Sequence, residues 1–288
     1  MEPTKLRGII PPMITPLRGN DELDREGAVR LTEHLVAGGV HAIFLLGTTG
    51  EAQSLTYRLR YEFVELVCRQ VAGRVPVLVG VTDTAFIESI RLAEHAAKCG
   101  AVGVVAAPPY YFAPSQQELI EYYTALADAL PLPLYLYNMP SHVKVFLEPA
   151  TVKTLARHEN IVGLKDSSAN MTYFQTLLYQ LGDTPGFSLY VGPEELTGEC
   201  VLLGADGGVN GGANIFPELY VAMYDAACAH DIARVREIQH RIMQISTSVY
   251  TVGKYGSSYL KGVKCALSLL GVCDDYLSCL LYTSDAAD

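Results

Sequence analysis

The stretch from Ile161 to Ser168, IVGLKDSS, ends an apolar run on a lysine. Ile161, Val162 and Leu164 have the character of a buried strand, and an ammonium group at the end of one is costly unless it is paired or neutral. A desolvated, neutral amine is a nucleophile toward a carbonyl carbon, which is the chemistry of a Schiff-base lysine. A plainer role is also open to Lys165, since a strand-end lysine can extend its stem to solvent or pair with the adjacent Asp166. Tyr137 closes a second apolar run, YLYNMP. A phenol beside such an amine can carry protons during carbinolamine formation and to or from a substrate hydroxyl, although tyrosines in LYLYN serve equally well as strand formers. The third candidate is the GTTGE turn, residues 47–51, where Gly47 and Gly50 permit tight backbone and Thr48 and Thr49 offer hydroxyls and N–H groups. That combination suits a carboxylate. It has no lysine and does not match the phosphate-cradling P-loop pattern.

For these three to meet, the chain must bring separate strand ends together. Eight short apolar runs read as strands: GIIPPMI, HAIFLL, VPVLVGV, VGVVAA, LPLYLYN, IVGLKD, FSLYVG and DGGVNG. They alternate with helical stretches such as REGAVRLTEHLVAGG and AFIESIRLAEHAAKCG, which are apolar at i, i+3, i+4, i+7 and stop at glycine. Eight β-α units predict a closed (β/α)8 TIM barrel, with a doubly wound open sheet as the alternative. In a barrel, Lys165 ends strand six, Tyr137 ends strand five and GTTGE follows strand two. All three then face the C-terminal mouth, where barrel enzymes keep their reactive groups. Two or three further helical stretches, including ARVREIQHRIMQISTSVY and LKGVKCALSLLG, follow the eighth unit. The expected organisation is a barrel over residues 1–229 and a C-terminal helical extension over 230–288.

Composition narrows the partners. The 288 residues carry 21 Lys and Arg against 31 Asp and Glu, a net charge of −10 with no basic cluster. That argues against nucleic acid or an anionic membrane and favours a small-molecule substrate. Seven cysteines (Cys68, Cys99, Cys200, Cys228, Cys265, Cys273, Cys279) include no CxxC pair and read as reduced core thiols rather than metal ligands. The N-terminus has no apolar signal region and no run of eighteen apolar residues occurs, so a cytoplasmic protein is expected.

GTTGE, PPYY, YNMP and GLKDSS, in this order and spacing, resemble the family of dihydrodipicolinate synthase and N-acetylneuraminate lyase, over nearly the whole chain. The resemblance implies a class I aldolase that forms a Schiff base between lysine and a 2-oxo acid such as pyruvate, with no metal or organic cofactor. It implies an aldehyde as the second partner and a homotetramer or homodimer as the assembly. It matches Lys165 to the Schiff-base lysine, Tyr137 to the catalytic tyrosine, and Thr48 and Thr49 to the residues that hold the keto-acid carboxylate. Tyr111 matches a tyrosine that, in the synthase, enters a neighbouring subunit's site and completes a proton relay with Tyr137 and Thr48. Val209 matches a strand-eight position whose backbone lines the site.

Departures from the synthase pattern bear on the substrate. Where the synthase has an arginine two residues after the proline of its tyrosine motif, this chain has His142, a poor bidentate clamp for a carboxylate. In VGPEEL, Glu194 and Glu195 fall where sialic-acid lyases keep acidic residues that accept sugar hydroxyls, and Gly192 belongs to the same substrate-binding stretch. Both glutamates equally suit the start of a helix. Ser167 sits where lyases present a hydroxyl, whereas GTTGE is spelled more like the synthase. The expectation is therefore an aldolase for a 2-oxo-3-deoxy sugar acid or an N-acetylneuraminate-like substrate. The alternatives are a dihydrodipicolinate synthase, a sugar-acid dehydratase, or a non-catalytic sugar-acid binding protein on the same barrel.

Overall fold

Strands buried on both faces read as continuous apolar runs, and each such run in this chain forms a parallel strand. The computed structural model describes residues 5–253 and 256–278. Its eight parallel strands are β1 (Gly8–Ile9), β2 (Ile43–Leu45), β3 (Val77–Gly80), β4 (Gly103–Ala106), β5 (Leu134–Asn138), β6 (Ile161–Asp166), β7 (Ser188–Val191) and β8 (Gly207–Gly208). The sheet order is β1-β8-β7-β6-β5-β4-β3-β2. Beyond Ile9 the first strand runs on beside β2. Pro12 bridges Phe44, Met13 N donates to Phe44 O at 2.9 Å and Phe44 N donates to Pro11 O at 3.0 Å. The sheet therefore closes on itself, which rules out the open-sheet alternative.

Helices α1 (Arg25–Ala37), α2 (Tyr57–Val71), α3 (Phe86–Lys98), α4 (Gln116–Ala129), α5 (Pro149–Leu155), α6 (Met171–Leu181), α7 (Thr197–Leu202) and α8 (Pro217–Cys228) surround the barrel. Side-chain caps fix several of their starts: Asp24 accepts from Gly27 N, Thr56 from Leu59 N, and Ser115 and Glu118 form a reciprocal capping box. An antiparallel hairpin, Leu17–Gly19 with Glu22–Leu23, precedes α1. It has no counterpart among the eight expected strands.

The two surplus helical stretches form α9 (Ile232–Ser248) and α10 (Ser258–Leu269). Val235, Ile238 and Ile242 of α9 pack with Tyr220, Met223 and Ala227 of α8 and with Ile9 of β1. Val263 and Leu267 of α10 join the main core. The extension thus shares its apolar contacts with the barrel. The tail LYTSDAAD lies outside the described residues. Of the cysteines, Cys68, Cys200 and Cys273 are buried as expected, but Cys228 is exposed at the end of α8. No described helix is long and apolar enough to cross a membrane.

Below the mouth the barrel is filled. The void among Ile10, Phe44, Leu78, Val105, Tyr135, Lys165, Tyr190 and Val209 measures only about 10 Å³. The packing is tight where β3 passes the end of β2, because a Cβ on Gly80 would lie 2.2 Å from the carbonyl oxygen of Leu46. Gly80→Ala must push these strands apart, at a cost of about 1–3 kcal/mol. Thermal unfolding should show a midpoint several degrees lower, and an unchanged midpoint would mean that the barrel wall has slack at this point.

Candidate active site

Parallel pairing sets the reactive groups side by side. In the β5–β6 register Tyr137 is the partner of Lys165, and in β6–β7 Lys165 is the partner of Tyr190. Alternation along β6 then sends Lys165 and Asp166 to opposite faces. Lys165 points into the mouth, only 7% exposed, with Nζ 4.3 Å from the ring centroid of Tyr137 and 5.4 Å from that of Phe44.

Asp166 is engaged elsewhere. Its Oδ1 accepts from Asn138 Nδ2 at 2.8 Å and from Ser168 N at 3.0 Å, and its Oδ2 accepts from Ser168 Oγ at 2.9 Å. Burial pushes its carboxyl above the usual carboxylate range, against the pull of these donors. Asp166 is thus not the partner of Lys165, and among the described residues no carboxylate comes within 4.0 Å of the amine. The pairing open to Lys165 from the sequence does not form.

The GTTGE turn arrives from β2. It is bounded by two residues in the left-handed region, Leu46 (φ 58°) and Glu51 (φ 55°). Thr15 Oγ1 donates to Gly50 O at 2.7 Å, and Glu51 N donates to Thr48 O at 3.0 Å. Held in this way, Thr48 Oγ1 lies 3.3 Å from Tyr137 Oη and Thr49 Oγ1 lies 3.2 Å from Tyr259 Oη. Burial, and then the charge of Glu194, push the Tyr259 phenol upward, so it stays a neutral hydroxyl.

One cavity of about 360 Å³ joins Lys165, Tyr137, Thr48 and Thr49 to Ser167, Gly192, Glu194, Glu195, Val209 and His142. Gly192 allows the close passage of β7 and β6, since its N donates to Asp166 O at 2.7 Å and a Cβ there would lie 2.0 Å from Ser167 Oγ. A second chamber of about 220 Å³ shares Thr48, Tyr137, Met139 and His142 with the first and is bounded by Gln53, Thr82 and Tyr110. Tyr111 lines neither. It is 80% exposed and packs edge-on against Phe112.

The two glutamates differ. Glu194 is buried, its Oε1 accepting from Tyr220 Oη and from Tyr250 Oη (2.6 Å) and its Oε2 from Gly212 N (2.8 Å). Burial raises its carboxyl above the usual range. Glu194 lines the cavity, and three of the protein's own donors are bonded to its carboxylate. Glu195 is half-buried, with Oε1 bonded to Ser246 Oγ and Oε2 without a described donor. His142 is exposed at the mouth, with Nδ1 3.0 Å from Ser141 Oγ. Partial burial, followed by the charges of Lys144 and Lys165, pushes its imidazole down, toward the neutral form. Among the described residues that line the two chambers, Lys165 is the one Lys or Arg.

Tyr250, Tyr259 and Phe44 were not singled out from the sequence. The two tyrosines lie in the C-terminal extension in no recognisable motif, and Phe44 reads as an ordinary strand residue until the fold sets its ring beneath the amine.

Tyr137→Phe removes one hydroxyl whose only described contact is the 3.3 Å approach of Thr48. The thermal midpoint should barely move, while turnover should fall by roughly two to four powers of ten. Near-normal turnover would assign the proton transfer to another group.

Comparison with known proteins follows the same lines. The model of the dihydrodipicolinate synthetase family matches residues 5–281. The chain superposes on dihydrodipicolinate synthase from Bacteroides thetaiotaomicron with a TM-score of 0.93 and 59% identity, covering 96% of this chain and 92% of that one. It matches YagE, a prophage protein of the same family from Escherichia coli K12 solved in complex with pyruvate, with a TM-score of 0.91 and 31% identity over 99% of this chain and 96% of that one. A probable 2-dehydro-3-deoxy-D-pentonate aldolase, YjhH of Escherichia coli K12, is 35% identical over 243 residues, 84% of this chain and 81% of its own.

Proposed function

Since this chain belongs to the dihydrodipicolinate synthetase family, and with it to the Schiff-base-forming lyases and aldolases, we propose that it joins or separates pyruvate and a polyhydroxy aldehyde, acting on a 2-oxo-3-deoxy sugar acid. The observation that carries this reading is the pairing of Lys165 with Tyr137 in one cavity with Thr48 and Thr49, the amine over the phenol ring and away from any described carboxylate.

Cleavage then runs as follows. Lys165 Nζ adds to C2 of the 2-oxo acid while Thr48 and Thr49 hold its carboxylate, and loss of water leaves an iminium. Tyr137 removes the proton of the C4 hydroxyl, the C3–C4 bond breaks, and its electron pair enters the iminium to give an enamine and a free aldehyde. The enamine takes a proton at C3. Hydrolysis of the imine releases pyruvate and regenerates the amine. Thr48, at Tyr137 Oη, is the next oxygen in the path of that proton. The resemblance implies that Tyr111 completes the path in a neighbouring subunit, and its exposure leaves it available to a second copy.

The aldehyde assignment rests on charge. The synthase's aldehyde, aspartate semialdehyde, carries a carboxylate, which needs a cation beyond the imine. Here His142, pushed toward its neutral form, supplies no fixed cation, and the carboxylate of Glu195 lies in the wall. Glu195 Oε2 is instead an acceptor for a sugar hydroxyl. The synthase is the second reading, favoured by the spelling GTTGE and by the name of the structural neighbour from Bacteroides thetaiotaomicron.

Mass spectrometry of pyruvate with a panel of aldehydes separates the two. Polyhydroxy aldehydes should couple fastest, and Glu195→Gln should lower kcat/KM for them by roughly tenfold or more, the worth of one hydrogen bond to a charged group, while pyruvate imine formation persists. Faster turnover of aspartate semialdehyde would give the synthase reading the site. Sedimentation supplies a separate check, with a dimer or tetramer expected; a fully active monomer would remove Tyr111 from any part in catalysis.

A further inference from the structure

The reaction leaves a fully buried pair of charges at the threonine turn without a task. Glu51, the last residue of GTTGE, and Lys264 of α10 both have side chains that are 0% exposed, and Glu51 Oε1 lies 2.5 Å from Lys264 Nζ. Lys264 Nζ also donates to Tyr276 O at 2.6 Å. Glu51 Oε2 accepts from Ser278 N at 2.8 Å and from Ser278 Oγ at 2.6 Å. The carboxylate is therefore held from two places in the C-terminal extension, α10 and the segment that follows it. At its backbone, Glu51 N donates to Thr48 O.

A buried ion pair adds little stability over well-packed apolar residues, whereas removing one partner is severe. What such a pair supplies here is position. A non-glycine residue in the left-handed region persists only where its surroundings over-determine it, and Glu51 is such a residue. From the same helix, Tyr259 reaches Thr49. We propose that Glu51 and Lys264 are positioning residues: their ion pair ties the Thr48–Thr49 turn to the C-terminal helix and sets the geometry in which the turn binds the carboxylate of the 2-oxo acid. The inference rests on the aldolase reading of Thr48 and Thr49. It makes α10 a determinant of keto-acid affinity, although the helix brings no charged group to the substrate itself.

Glu51→Gln, Lys264→Met and the double variant test it, with pyruvate KM, kcat and the thermal midpoint measured for each. Each single variant should unfold at lower temperature and raise the pyruvate KM about tenfold, with kcat at saturating pyruvate within about threefold of the wild type. The double variant buries no unpaired charge and should regain thermal stability, yet keep the raised KM because the tie is gone. Should the single variants not fold, Ser278→Ala removes one donor to Glu51 and should raise KM about twofold to threefold at unchanged kcat. A wild-type KM in any folded variant overturns the proposal, as does a double variant that regains both stability and KM. A wild-type enzyme that takes no borohydride-fixed pyruvyl mass overturns the aldolase reading first, and this inference with it.

Discussion

The mouth of this barrel is built around an amine that no carboxylate among the described residues neutralises. Lys165 is buried against the rings of Tyr137 and Phe44, over a barrel interior with almost no free volume. Its neighbour in sequence, Asp166, would be its natural counter-ion, but strand alternation turns that carboxylate to the other face, where Asn138 and Ser168 satisfy it. Asn138 and Ser168 thereby leave the amine without that carboxylate as its partner.

That arrangement needs closure and a lid. Closure comes from the backbone bonds around Pro12 and Phe44, which bring β2 and its threonine turn round to face β5 and β6. The lid comes from the C-terminal extension, which places Tyr250 and Tyr259 in the cavity wall and the Lys264 ammonium against Glu51. Glu194 belongs to this layer. With Tyr220 and Tyr250 on its carboxylate, it pins the extension to the loop after β7.

The repeating parts of the fold were legible in the sequence because each has a local cause. Eight apolar runs became eight strands, and the two surplus helical patterns became α9 and α10. Lys165, Tyr137 and the threonine turn could be placed together because a barrel sets consecutive strand ends side by side. Long-range pairings carried no such signal. Nothing in VGPEEL announces that tyrosines 220 and 250 will take the Glu194 carboxylate, and nothing in KDSS distinguishes an aspartate paired with lysine from one held by Asn138. The hairpin at Leu17–Leu23 escaped notice because each of its strands is only two or three residues long, too short for a visible period. The solvent exposure of Cys228 depends on where α8 ends, which composition cannot tell.

The most direct test of this account is reduction with borohydride in the presence of pyruvate, followed by peptide mapping. Lys165 should be the single residue that gains a pyruvyl mass, and Lys165→Ala should abolish both the adduct and turnover. A pyruvyl adduct on any other lysine, or turnover that survives the loss of Lys165, would contradict it.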